Sequence, residues 1–120
     1  MRETPFKEKV EALLLKHNAW FIKYWAGARY TKEGIPDVLA CINGTFYGLE
    51  LKGDGGEPKI LQLVKLRDIR NSGGIGLLLY PKDLKEFEHF INDPPELKNF
   101  SAWYRDNIEL QKIWYEKLKP

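Results

Sequence analysis

One cysteine, two histidines and no apolar run of membrane length are the scarce features of this 120-residue chain, and each removes a class of protein. A lone Cys41 cannot close an intramolecular disulfide, which argues against a disulfide-stapled scaffold. Its place in the apolar run Val38-Leu39-Ala40-Cys41-Ile42 reads as a core thiol in a reducing cytoplasm. His17 and His89 have neither metal-ligand spacing nor a paired nucleophile, so both read as structural, and a structural zinc site is not expected. No stretch approaches the ~20 apolar residues of a membrane span, and no secretory signal opens the sequence. The expectation is a cytoplasmic protein, of a bacterium or a virus-infected host cell, with no membrane partner. A net charge of +2 is too small to advertise nucleic-acid binding by itself, so what matters is how the lysines and arginines are distributed.

What is present reads as one globular domain with an appendage. Residues 4–17 predict a helix with Thr4 as N-cap, Pro5 at the first helical position, and Phe6, Val10, Leu13, Leu14 and His17 on one face. Residues 20–25 predict a strand, and residues 26–34 a basic loop. Strands are expected at 37–42 and 46–52, joined by the hairpin signal Asn43-Gly44. After a glycine-rich loop, Pro58 opens a helix to about Asn71, which Gly73-Gly74 ends. A buried strand at 75–80, a helix at 81–91 and, past Pro94-Pro95, a last helix near 97–118 complete the order. Strands and helices alternate as α-β-β-β-α-β-α, an α/β pattern with a mixed central sheet flanked by helices, plus an extra C-terminal helix.

The chemistry is concentrated in Gly34-Ile35-Pro36-Asp37 and Glu50-Leu51-Lys52. Side chains alternate along a strand, so Glu50 and Lys52 project together while Tyr47, Leu49 and Leu51 project the other way. Taken alone, an E-x-K pair is usually a solvated face. Here Asp37 follows a sharp Gly-x-Pro turn into a strand apolar enough to be buried on both faces, where surface decoration is a poor explanation. Two carboxylates brought together make a hard-oxygen site of the kind that holds Mg²⁺ or Mn²⁺. A lysine beside them can neutralise charge building on a phosphate. The combination points to metal-dependent phosphodiester cleavage.

The stretch from about Trp20 to Pro81 resembles the PD-(D/E)XK nuclease superfamily, specifically its small stand-alone VRR-NUC type of viral and bacterial genomes. The resemblance is carried by Trp20-Phe21-Ile22-Lys23-Tyr24-Trp25, Gly34-Ile35-Pro36-Asp37, Glu50-Leu51-Lys52, Gln62 and Gly73-Gly74-Ile75-Gly76-Leu77-Leu78-Leu79-Tyr80-Pro81, in that order and spacing. It implies a restriction-endonuclease-like αβββαβα core, with residues 1–93 as the nuclease domain and 94–120 as an extension. It also implies Asp37 and Glu50 as metal ligands with the backbone carbonyl of Leu51, Lys52 as the group that orients water and counters charge, and Gln62 as an additional active-site residue. Relatives carry a metal-facing glutamate just after the position of Phe6; here that position is Lys7. Glu8 is ranked first to serve instead, with Glu11 as its alternative, while Glu3 is also nearby.

Around this set, Lys23, Arg29, Lys32, Lys59 and Lys65 are candidate phosphate contacts, and Tyr30 is placed to stack on an unpaired base. The tail carries Phe100, Trp103, Tyr104, Ile108, Trp114, Tyr115 and Leu118 at near-helical spacing, too much apolar surface for one exposed patch. Either that helix folds back on the core or it builds a homodimer, whose paired sites would suit a four-way junction or other branched DNA. Two readings follow: a Mg²⁺- or Mn²⁺-dependent endonuclease acting on structured DNA, or a non-catalytic DNA-binding or assembly module on a degenerate nuclease fold.

Overall fold

The computed structural model describes residues 1–24 and 33–120. Its elements run α1 (Glu3–Lys16), β1 (Trp20–Lys23), β2 (Val38–Ile42), β3 (Thr45–Leu51), α2 (Ile60–Asn71), β4 (Ile75–Leu79), α3 (Leu84–Ile91) and α4 (Ala102–Leu118), with 3₁₀ turns at Pro81–Asp83 and Pro95–Phe100. The four strands form one sheet in the order β1-β2-β3-β4. The first two pairings are antiparallel and the last, between β3 and β4, is parallel. This is an α/β fold on a mixed sheet flanked by helices.

Local chemistry accounts for most boundaries. Asn43 and Gly44 both take positive φ, 50° and 81°, which a two-residue turn between twisted antiparallel strands requires. Phe6, Val10, Leu13 and Leu14 form the buried stripe of α1. The start of α1 differs from expectation: Arg2 is the N-cap, without a side-chain cap, and Thr4 lies inside the helix. Likewise Lys59, rather than Pro58, precedes α2. Asp83 accepts from the Tyr80 amide at 2.9 Å and tightens the entry to α3 into a 3₁₀ turn. The last helix begins only at Ala102, where Ser101 Oγ accepts from the Tyr104 amide at 3.2 Å.

One sheet face carries Val38, Ala40, Ile42, Tyr47, Leu49, Leu51, Ile75, Leu77 and Leu79 against α1 and α3 in the main core. The other face is covered unevenly: α2 lies over β3 and β4, where Leu63 and Leu66 meet Leu78. Gly76 permits that approach, since a Cβ there would stand 2.5 Å from the Leu66 carbonyl oxygen. The antiparallel end of this face is open. Trp20, Cys41 and Phe46, paired across three strands, are all exposed. The expectation of a doubly buried β2 and a core Cys41 is therefore corrected. Only the β3–β4 half has a helix on both sides, and Cys41 faces outward where α2 does not reach.

The C-terminal helix folds back. In a parallel pair alternate residues bond to alternate sides, and Leu79 accepts from the Lys52 amide at 2.9 Å, so Gly76 and Leu78 turn their backbone groups toward the outer edge of β4. There Asn107 accepts from the Leu78 amide at 3.0 Å and donates to the Leu78 carbonyl at 2.7 Å. Gln111 donates to the Gly76 carbonyl at 2.9 Å. Two side-chain amides thus stand where another strand would bind, which blunts an edge otherwise open to pairing. Trp103 and Tyr104 pack against Phe90, and Trp114, Tyr115 and Leu118 pack beside Leu63, Leu66 and Leu78. Of the two fates weighed for the tail's aromatic surface, packing on its own core is the one seen here for all of the set but Phe100, which is exposed.

Candidate functional site

The turn into β2 and the end of β3 bring Asp37 and Glu50 together. Gly34 sits at φ 83° with its backbone against Leu61, where a Cβ would stand 2.6 Å from the Leu61 carbonyl oxygen, so this turn is seated directly on α2. Pro36 then leads into Asp37, one step beyond the Val38–Leu49 pair of the ladder. The Leu51 amide donates to Asp37 Oδ2 at 2.8 Å and fixes that carboxylate across the two strands. The Tyr24 amide donates to the Asp37 carbonyl at 2.7 Å, holding the end of β1 to the same point.

Glu50 is 1% exposed. Its Oε2 lies 3.4 Å from Lys52 Nζ, whereas its Oε1 is buried with no hydrogen-bond partner among the described residues. Burial, then the neighbouring Asp37 charge, push the Glu50 carboxyl up to about 8 against the opposing pull of Lys52, and a hydrogen bond to the Asp37 carboxylate favours the protonated form. A buried acid with one oxygen unsatisfied is costly to a fold unless a proton or a cation completes it. Oxygen donors from two carboxylates, with no cysteine or histidine beside them, fit a hard divalent cation. Asp37, Glu50 and Lys52 are thus gathered at one end of the sheet, as their spacing in the sequence predicts.

The first helix contributes a different residue from those expected. Burial of Phe6 and Val10 fixes its rotation, which places Glu3, Lys7 and Glu11 on one flanking stripe at i, i+4 spacing. Lys7 Nζ lies 3.8 Å from Asp37 Oδ1 and 3.1 Å from Glu3 Oε2. Glu11 Oε1 accepts from Lys23 Nζ at 2.8 Å, and Glu8, off the stripe, is exposed. Neither Glu8 nor Glu11 joins the pair: among the described residues no group of three or more His, Cys, Asp or Glu side chains is placed to hold a metal ion. Helix phase, which a register shift cannot alter while Phe6 stays buried, keeps Glu8 away, while Glu11, one turn beyond Lys7 on the same stripe, is paired with Lys23 of β1. The signal available in the sequence was the stripe itself, which pairs Lys7 with Glu3.

Gln62 lies in the first turn of α2, where its Oε1 accepts from the Lys59 amide at 2.8 Å and holds the helix start. Lys59 is exposed there. Lys65 lines an apolar groove of about 600 Å³ with Ile35, Pro36, Leu39 and Phe46, to one side of the acids. Lys23, through Glu11, braces β1 against α1. The expected contacts Arg29, Tyr30 and Lys32 lie outside the described residues. His17 pairs with Glu88 at 2.7 Å and ties the end of α1 to α3.

Compared with models of protein families, with curated proteins and with solved structures, the chain matches none.

Proposed function

We propose that the chain is a divalent-metal-dependent endonuclease that hydrolyses DNA phosphodiester bonds, built on a restriction-endonuclease-like core of the VRR-NUC type. The observation that carries this reading is Glu50: a buried carboxylate with an unsatisfied oxygen, beside Asp37 and within 3.4 Å of the Lys52 ammonium. Such an arrangement costs stability, which is the mark of a site kept for chemistry. Asp37 and Glu50 would hold a Mg²⁺ or Mn²⁺ ion, with the Leu51 carbonyl as the third oxygen that the family resemblance implies. Bound there, such an ion would supply Lewis-acid stabilisation of a phosphate and a water acidified for attack. Lys52 is held by Glu50 at the mouth of the site, where its charge offsets negative charge on the phosphate oxygens. Asp37 is oriented by the Leu51 amide, so the carboxylate pair is preorganised before any ligand arrives.

With α4 spent on its own core, the paired-site geometry suited to a four-way junction loses its main support, and flap or fork DNA becomes the substrate class of the proposal. The test is cleavage of labelled flap, fork, four-way-junction and duplex DNA with Mg²⁺, Mn²⁺ or EDTA. Metal-dependent cleavage is expected. Lys52→Ala should lower it roughly 10²-fold or more with the fold intact, the scale of one lost charge-stabilising group. Cleavage by Lys52→Ala at the parental rate would remove this site from the reaction. The second reading, a DNA-binding module without catalysis, is favoured by Lys7 standing beside Asp37. It predicts DNA binding without cleavage on every substrate.

A further inference from the structure

Among the described residues, Lys7 is the cation that α1 brings to the acids, and its position bears on whatever enters between them. Its side chain is only 14% exposed, and its ammonium is shared between Glu3 Oε2 at 3.1 Å and Asp37 Oδ1 at 3.8 Å. The Leu51 amide holds the other Asp37 oxygen, so Lys7 sits on the oxygen that is left for a ligand. We propose that Lys7 is a built-in competitor for the divalent cation: it sets the metal affinity of the Asp37–Glu50 pair, and Glu3 is the residue that draws it aside. This inference rests on the metal-site reading above and names a residue that tunes it.

The physical case is charge balance. Without a metal, Lys7 lies beside Asp37 and Lys52 beside Glu50, which offsets part of the cost of holding the two acids together. A dication entering between Asp37 and Glu50 meets a positive charge a few ångströms away, in a setting where water screens poorly. It binds only as the ammonium yields Asp37 Oδ1. Glu3, one helical turn back on the same stripe, offers an acceptor that is already nearer, so the swing is short and needs no movement of α1. The expected result is weak, readily reversible metal binding, with affinity controlled from the helix rather than from the ligands.

The measurement is Mn²⁺ binding to the full chain by isothermal titration, alongside thermal unfolding with and without Mn²⁺. Lys7→Gln should tighten Mn²⁺ binding at least about tenfold. Lys7→Arg, which keeps the charge, should stay close to the parent. Glu3→Gln should weaken binding, because an acceptor that draws the ammonium off Asp37 is then gone. Without metal, Lys7→Gln should unfold at lower temperature than the parent, and Mn²⁺ should restore more stability to it than to the parent. If Asp37→Asn abolishes binding but Lys7→Gln binds Mn²⁺ no more tightly than the parent, the competitor role is wrong and the metal site stands. If Asp37→Asn binds as the parent does, or neither the parent nor Lys7→Gln binds Mn²⁺, the metal-site reading falls and takes this inference with it. Tightening by Lys7→Arg equal to that by Lys7→Gln would show that packing, not charge, is responsible, and would also overturn it.

Discussion

Glu50→Gln keeps the shape of a side chain that is 1% exposed and removes the charge that burial disfavours. The Glu50 carboxyl moves from 4.5 in the unfolded chain to about 8 in the fold. Between those values the native state keeps a proton that the unfolded state has released. Stability of the parent should therefore fall by up to about 1.36 kcal/mol per pH unit across this window. The contribution is fully present below 4.5 and lost as pH rises through about 8. The whole displacement corresponds to about 5 kcal/mol at that rate. The pull of Lys52 is already contained in that displacement, so a gain for glutamine of about 3–5 kcal/mol at alkaline pH is the expected size. Urea unfolding in the presence of EDTA, at about pH 5 and about pH 9, measures it. The variant should be clearly more stable than the parent at the higher pH and within about 1 kcal/mol of it at the lower. A gap that is the same at both values, or a variant weaker at the higher one, would refute the placement of Glu50 as a strained buried acid. The same variant should bind no Mn²⁺, which would make the acid a cost borne for function.

Asn107→Ala strips both hydrogen bonds from the outer edge at Leu78 and leaves a buried amide and carbonyl unpaired; a loss of about 2–4 kcal/mol in urea unfolding is expected. Asn107→Asp should also destabilise, because a carboxylate cannot donate to the Leu78 carbonyl. Truncation after Asp93 exposes the β4 edge together with Leu63, Leu66 and Leu78, so the product should aggregate or bind a hydrophobic dye. A folded, monodisperse truncation product by light scattering would show that α4 is dispensable to the core.

Much of this molecule was legible in the sequence because the relevant interactions are local. The Asn43-Gly44 turn, the alternation along Phe46–Lys52 and the Phe6, Val10, Leu13 and Leu14 stripe depend only on neighbours in the chain, and they yield the helices, the hairpin and the direction in which Glu50 and Lys52 point. Asp37 was recognisable for the same reason, since a Gly-x-Pro turn aims the residue after it. What lay beyond the sequence depends on which surfaces meet. Cys41 reads as core in its apolar run, yet it is exposed because α2 covers β3 and β4 and stops short of β1. Glu8 reads as a ligand from proximity in sequence, yet helix phase against the sheet turns Lys7 toward Asp37 and Glu8 away. The spacing of the tail's aromatics announced a helix with a buried face and not where that face would pack. Packing against α2 and the amides of Asn107 and Gln111 at the edge of β4 decided that, through contacts about thirty residues distant in the chain that no local pattern encodes.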